Sequence, residues 1–425
     1  MLRPTFLLVV TGACAFAEVH SLTLRQAVDL ALKENPDIVL AHLDEQKAQA
    51  GVRIAKDPFV PKLYAGSGLA KVWGYPSSIE GSAPAIIQTR TDMSLYNRPK
   101  SYELARAREN ARGSSIDTQS KSDQVAYQTA TLFLDAQELA RSVPSLELEV
   151  QSLTRVGESV RLQVEEGRQL PLENKRVAVD LARARQRLSA LEDDLDYAEA
   201  SLAVVLGFPG DDRVRPLDEE RAGYEIPSSE QAARDLALEN NKDLRKLQSQ
   251  LQAKGFELKG YQSAQQPVIN VVAQYALFSK NNYQAYFVNF QRNNAELGVS
   301  IQIPIFVGSA AKAYVTQSQL EITELRNQLN QTRNRIELDT QKSFQDLQKA
   351  NTALEVARLD LDYAREQLSV LLTQLGEGRV TGQRVDDARL AEQEKWIAFY
   401  DAQHIVERAR LDLLRQTGTL VAALH

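Results

Sequence analysis

Residue types able to do chemistry are sparse in this 425-residue chain and lie far apart. His20, His42, His404 and His425 are its four histidines and Cys14 its single cysteine. No glycine-rich phosphate loop and no serine–histidine–aspartate constellation accompanies them, so nothing points to an enzyme and no cofactor or metal is called for. His404 occupies an apolar seam position of its helix whose counterpart earlier in the chain is Leu195. A single polar residue in such a seam sets register more often than it ligates metal. Glu192-Asp193-Asp194 reads as a solvated helix face. The charged residues that do recur lie in Gln163-Val-Glu-Glu-Gly-Arg168 and Gln374-Leu-Gly-Glu-Gly-Arg379. Gln163, Glu166, Gly167 and Arg168 correspond to Gln374, Glu377, Gly378 and Arg379. Glycine permits the left-handed residue that ends a helix. A helix stop accounts for the glycine alone, whereas a docking tip made twice accounts for the repeated glutamine and arginine as well. Just beyond the second tip, Arg384, Asp386 and Asp387 gather charge, and Arg384 and Asp387 are spaced to pair at i, i+3 on a helix.

These tips require long helices to carry them. Leu132, Leu139, Leu146, Leu153 and Val160 recur every seven residues, as do Leu347, Leu354, Leu361, Leu368 and Leu375, which is the seam of a coiled coil. The first arm, about 101–164, has 64 residues and predicts a rod of roughly 96 Å. The second covers about 309–375. Its seam changes phase between Ile336 and Leu347, a stutter, and Pro144 should bend the first arm. Return helices about 169–206 and 383–417 keep the heptad through Leu181, Leu188, Leu195 and Leu202, and through Leu390, Ile397, His404 and Leu411.

The chain is a duplication. The segment 26–37 recurs as 232–243, and Asp29, Asn35, Asp37 and Pro61 match Asp235, Asn241, Asp243 and Pro267 at one offset of 206. The copies span 18–225 and 226–425. Each begins with a helix, opened in the first copy by a capping box from Thr23 to Gln26 and broken at Asn35-Pro36. A β-hairpin follows each, about 61–97 and 267–306. In the second copy Ala295, Leu297, Val299, Ile301, Ile303 and Ile305 alternate with mostly polar residues, the mark of a half-buried strand. The first copy offers Leu63 to Trp73 and Ile86 to Tyr96, joined by the loop Gly74 to Pro84, and the run Ser279 to Asn282 joins the second pair. Such strands suit either a membrane barrel or a small sheet packed on the helices. Four strands per chain cannot close a barrel, so closure in lipid needs several chains.

A net charge of −6 without a Lys/Arg block argues against nucleic acid. Residues 1–17 read as a signal peptide, with Arg3, the apolar run Phe6 to Val10 and the small-x-small site Ala15-Phe16-Ala17, leaving Glu18 first. The alternative is a lipid-anchored Cys14, against which Thr11-Gly12-Ala13 lacks the usual leucine.

Leu22 to Asp37 resembles the N-terminal signature of the TolC-like outer membrane efflux proteins. Gly298 to Gly308 resembles that family's strand-to-helix junction, and Leu202 to Pro209 its repeat-ending motif. The resemblance covers essentially the whole chain after residue 17. It implies a mainly α protein with a small β part, a homotrimer forming a 12-stranded outer-membrane barrel continued by a 12-helix periplasmic barrel. It implies contact with outer-membrane lipid, docking of a periplasmic adaptor on the tips and an inner-membrane pump as energy source, hence a passive exit duct. It also implies a periplasmic gate at Arg384, Asp386 and Asp387, where the family often carries two aspartates. Here Asp387 matches the second and Arg384 replaces the first. Two other departures are Met93 to Lys100, which lacks the junction pattern in the first copy, and the short stretch after the second return, which leaves little for a C-terminal belt. The rival reading is a periplasmic coiled-coil adaptor or scaffold without a pore, which would not need paired membrane-length strands.

Overall fold

The structure is a computed structural model and describes residues 18–68, 85–218, 224–278 and 291–424. The signal-peptide reading and both hairpin loops fall outside the described residues. In chain order the elements are β1 (Val19–Leu22), α1 (Leu24–Glu34), α2 (Pro36–Lys56), β2 (Lys62–Gly68), β3 (Ala85–Tyr96), α3 (Arg98–Glu165), α4 (Pro171–Val205) and β4 (Arg213–Pro216). Then come α5 (Glu230–Asn240), α6 (Lys242–Gln262), β5 (Val268–Phe278), β6 (Asn293–Gln302), α7 (Ala310–Gly376), α8 (Gly382–Thr417) and α9 (Leu420–Leu424). The fold is mainly helical with a small sheet part, and the order repeats. The two arms are continuous helices of 68 and 67 residues, the first running through Pro144. The offset between copies rises from 206 before the hairpins to 211 at the tips, so the extra residues of the second copy lie between Pro267 and the arm.

The start of each copy is built alike. Thr23 Oγ1 accepts from the Gln26 amide while Gln26 Oε1 accepts from the Thr23 amide, the expected capping box. Ser229 accepts from the Ala232 amide at the same place in the second copy. Both leading helices then break at an asparagine, Asn35 with ψ 126° and Asn241 with ψ 123°. Proline follows only the first of these, Lys242 the second, so asparagine rather than proline is the shared cause of the break. At Asn35 the mechanism is visible. Its side chain accepts from the Asp37 amide at 2.9 Å, restarting the chain as α2, and donates to the Val205 carbonyl at 2.8 Å, capping the end of α4.

The chain forms two compact units. Of the described residues, one gathers 18–40, 120–218, 224–241 and 335–424. Its core packs Ala27, Val28 and Ala31 of α1 with Val125 and Phe133 of α3, Leu202 and Leu206 around the end of α4, Leu411 and Leu414 of α8 and Leu420 of α9. The last residues thus return to the first helix. β1 and β4 pair in parallel from Val19↔Arg213 to Leu22↔Pro216, adding Val214 to this core. A smaller cluster joins Ala233, Leu347, Ala350, Val406 and Leu413. Arms and returns are also linked by charge, Glu149 to Arg187 at 2.5 Å and Asp360 to Lys395 at 2.6 Å. Glu149 and Asp360 occupy equivalent places in the two copies.

The other unit holds the described residues 41–68, 85–119, 242–278 and 291–334 and carries one antiparallel sheet in the order β2-β3-β5-β6. The central pair, β3 with β5, runs from Ala85↔Phe278 to Tyr96↔Ile269, so the sheet is made by both copies. The register sorts its faces. Leu63, Thr91, Ala273 and Leu297 lie in one row across the four strands, and Met93, Val271 and Val299 in the next. The rows on either side read Tyr64, Arg90, Gln274 and Glu296, and Ser94, Asn270 and Ser300, while the row between holds Lys62, Asp92, Val272 and Gly298. One face is therefore largely apolar and the other polar, with Ser94 Oγ donating to Asn270 Oδ1 at 2.7 Å and Arg90 paired to Asp92. No described element of the chain covers the apolar rows on the last strand: Leu297 is 82% exposed and Ile301 63%. The apolar alternation continues in sequence to Ile305, but β6 ends at Gln302 because Pro304 has no amide to give the ladder.

Candidate functional site

The two tips adopt one geometry. In the first, the Arg168 amide donates to the Gln163 carbonyl at 2.7 Å and the Gly167 amide to the Val164 carbonyl at 3.0 Å. In the second, Arg379 donates to Gln374 at 2.9 Å and Gly378 to Leu375 at 3.0 Å. This is the Schellman arrangement, with Gly167 (φ 72°) and Gly378 (φ 69°) in the left-handed region. The repeated glutamine supplies the acceptor carbonyl for the bond that spans more residues. Glu166, Gly167 and Arg168 are exposed, as are Glu377, Gly378 and Arg379, while Gln163 and Gln374 are half-buried. Each arginine folds back on the glutamate two residues earlier, Arg168 to Glu166 at 3.2 Å and Arg379 to Glu377 at 3.1 Å. Exposed pairs of this kind contribute about 0–1 kcal/mol, so they open cheaply toward another carboxylate or cation. The tips differ in the residues after them. Leu170 and Leu172 stand 69% and 68% exposed after the first, where the second has Thr381 and Gln383. These leucines lie outside the heptad seam, so periodicity does not single them out.

Arg384, Asp386 and Asp387 sit in the first turns of α8. Val385 between them is buried, Arg384 and Asp387 are exposed, and Asp386 is half-exposed. The i, i+3 ion pair formed here joins Asp386 to Arg389 at 3.7 Å rather than Arg384 to Asp387. Arg384 and Asp387 thus point their charges to solvent.

A second polar cluster, with no sequence signal, lies where α3 meets α8. A groove of about 440 Å³ is lined by Glu138, Arg141, Tyr400, His404 and Arg410 among others. His404 Nε2 and Arg408 Nη1 converge on the Asp135 carboxylate at 3.1 and 3.0 Å, so the polar seam residue is spent on a cross-helix contact. Burial pushes the Glu138 carboxyl above its usual range; the nearby Asp401 adds to this, and the Ser142 hydroxyl and His404 oppose it. A carboxyl whose pKa is raised by folding stabilises the fold below its unfolded pKa and loses that contribution as pH rises through the folded value. Glu138→Gln is accordingly expected to raise the urea midpoint at about pH 7 and leave it unchanged near pH 4. Parallel urea titrations of the two proteins at both pH values check this.

Among the described residues no helix is long and apolar enough to cross a membrane. The sequence matches the outer membrane efflux protein profile over residues 27–208 and 233–419, one stretch in each copy. The chain belongs to the outer membrane efflux protein family. Outer membrane efflux protein BepC of Brucella suis is 23% identical over 327 residues, covering 75% of this chain and 67% of BepC. A membrane protein of Pseudomonas aeruginosa has the same fold, with TM-score 0.76, 16% identity and coverage of 93% of this chain and 90% of that one. The outer membrane protein VceC of Vibrio cholerae gives 0.74, 14%, 93% and 96%, and the CmeC outer membrane channel of Campylobacter jejuni 0.74, 14%, 93% and 86%. The efflux protein is thus a TolC-like chain of the outer membrane that extends into the periplasm, and the poreless adaptor reading is not favoured.

Proposed function

We propose that three copies of this efflux protein close their four-stranded sheets into one 12-stranded barrel and their helices into a 12-helix periplasmic tunnel, forming a passive exit duct. The sheet carries this reading: it is largely apolar on one face and polar on the other, and its edge strands, β2 and β6, are unpaired on their outer sides among the described residues. Edges left open in lipid would strand backbone donors and acceptors, and pairing β6 of one chain with β2 of the next satisfies them. The polar rows then face the lumen and the apolar rows the acyl chains.

The tips are the docking points for a periplasmic adaptor. Gln163, Glu166, Gly167 and Arg168, with Gln374, Glu377, Gly378 and Arg379, present an amide and an easily opened ion pair twice per chain. Leu170 and Leu172 make the first tip the stickier of the two. Arg384, Asp386 and Asp387 form the gate, where threefold symmetry would bring like charges together and docking would spread them. An inner-membrane pump supplies the energy. The detergent-purified protein should have the mass of a trimer and give single-channel steps in planar bilayers. A monomer without conductance would end the proposal.

A further inference from the structure

At the end of the sheet where strands become helices, the spare charge has one sign. β2 and β5 start from this end and β3 and β6 finish there, so the end of α2, the start of α3, the end of α6 and the start of α7 all meet it. Its carboxylates are already engaged, Asp57 by Lys62, Glu103 by Lys100 at 2.7 Å, and Glu257 by Arg106 and Lys254 at 2.9 and 3.0 Å. Arg53, Lys56, Arg98, Lys259 and Lys312 are exposed and have no carboxylate partner among the described residues. A chain of net charge −6 therefore carries a basic collar at the helix end of its sheet.

Two of these cations are held in place. Arg98 Nε donates to the Tyr96 hydroxyl at 3.2 Å, and its guanidinium lies 6.0 and 5.9 Å from the Tyr96 and Tyr102 ring centres. Lys259 Nζ lies 5.6 Å from the Phe256 ring, which stacks with Tyr102. The residues next to them approach closely, since a Cβ on Gly260 would stand 3.9 Å from the Pro99 carbonyl oxygen. Between these segments runs a groove of about 290 Å³ lined by Pro99, Glu103, Arg106, Phe256, Glu257 and Tyr261 among others, its two carboxylates already paired, and Arg98 and Lys259 are the neighbours in sequence of its lining residues Pro99 and Gly260. Held over aromatic rings, both cations keep donors free for an anion.

We infer that the surface beside this groove, around the stacked Tyr102 and Phe256 rings, binds the phosphate headgroup of an anionic phospholipid in the periplasmic leaflet, with Arg98 and Lys259 as its cations. The inference rests on the barrel reading above, which places acyl chains against the strands just beyond the collar. Aromatic rings and basic residues side by side are the chemistry of a membrane interface. A lipid bound here would sit where the barrel wall becomes the helical wall.

The full-length protein reconstituted in phosphatidylcholine vesicles with a minor fraction of phosphatidylglycerol tests it, by lipid mass spectrometry of the protein re-extracted with its retained lipids. Phosphatidylglycerol should be enriched over phosphatidylcholine. The enrichment should fall about fivefold in Arg98→Gln or Lys259→Gln and further in the double variant. It should persist in Arg98→Lys and in Arg326→Gln, a mid-arm control. Equal enrichment in the double variant, with conductance intact, overturns the lipid site and leaves the barrel standing. Loss of the preference on adding inorganic phosphate reassigns the two cations to a free anion and likewise overturns it. Failure of the unaltered protein to insert or conduct removes both readings together.

Discussion

Leu297→Arg should destabilise the membrane-inserted protein by about 2–4 kcal/mol per chain, while Ser300→Arg, on the opposite face of the same strand, should cost about 1 kcal/mol or less. Leu297 lies near the middle of β6, in the row with Ala273, Thr91 and Leu63, and is 82% exposed on the single chain. In the proposed barrel an arginine there is taken into hydrocarbon or drags water after it. Ser300 belongs to the polar row with Asn270 and Ser94, where a guanidinium meets water and other polar groups. Urea titration of the folded protein in lipid vesicles, read by heat-modifiable migration on gels, measures both. Equal costs for the two would show that the apolar rows do not face lipid.

Gly418→Ala is expected to cost about 3 kcal/mol, more than the same change at the tips. Gly418 ends α8 at φ 70°, where a side chain already costs about 1–2 kcal/mol. A Cβ would also stand 2.9 Å from Asn240 Cβ and 3.4 Å from the Asn240 carbonyl oxygen, so the helix end must back away from α5. The first copy repeats the arrangement, with the Gly207 Cβ position 3.2 Å from the Glu34 carbonyl oxygen. Gly167 has nothing within 4 Å and serves as the control, expected to lose only the conformational part. Urea unfolding of the detergent-solubilised variants ranks the three, and a Gly418→Ala cost equal to that of Gly167→Ala would mean that the close approach adds nothing.

Much of this architecture is legible in the residues because periodicity is set by local geometry. Leu146, Leu153 and Val160 are buried, as are Leu347 and Leu361, which is what a heptad seam requires. Leu375 continues the repeat but is 38% exposed, since the arm is already ending in its Schellman turn. The duplication locates the tips without a structure. What the residues could not show depends on contacts distant in sequence. The order β2-β3-β5-β6 needs the pairing of β3 with β5, and no local pattern states which strands become neighbours. Proline alone would explain the break at Asn35, but the second copy breaks in the same way before Lys242. Asp135, Glu138 and His404 meet only because α8 returns beside α3, and their spacing in sequence carries no trace of it. Exposed Leu170 and Leu172 are visible in the sequence, but their exposure is not.

The pairing of Ala85 with Phe278 also sets an order of events. A chain delivered N-terminus first presents β2 and β3 long before β5 exists, since an entire arm, tip, return and second leading helix are made in between. Two strands alone are marginal in water, and their open edges are templates for wrong partners. Loop closure over so long an intervening segment is slow, as is usual where contacts are remote in sequence. The helical unit can begin to form from local contacts while the first hairpin waits. Maturation of this protein therefore includes an interval in which half a sheet must be kept from aggregating, and its length is set by delivery of the second copy rather than by the chemistry of the strands.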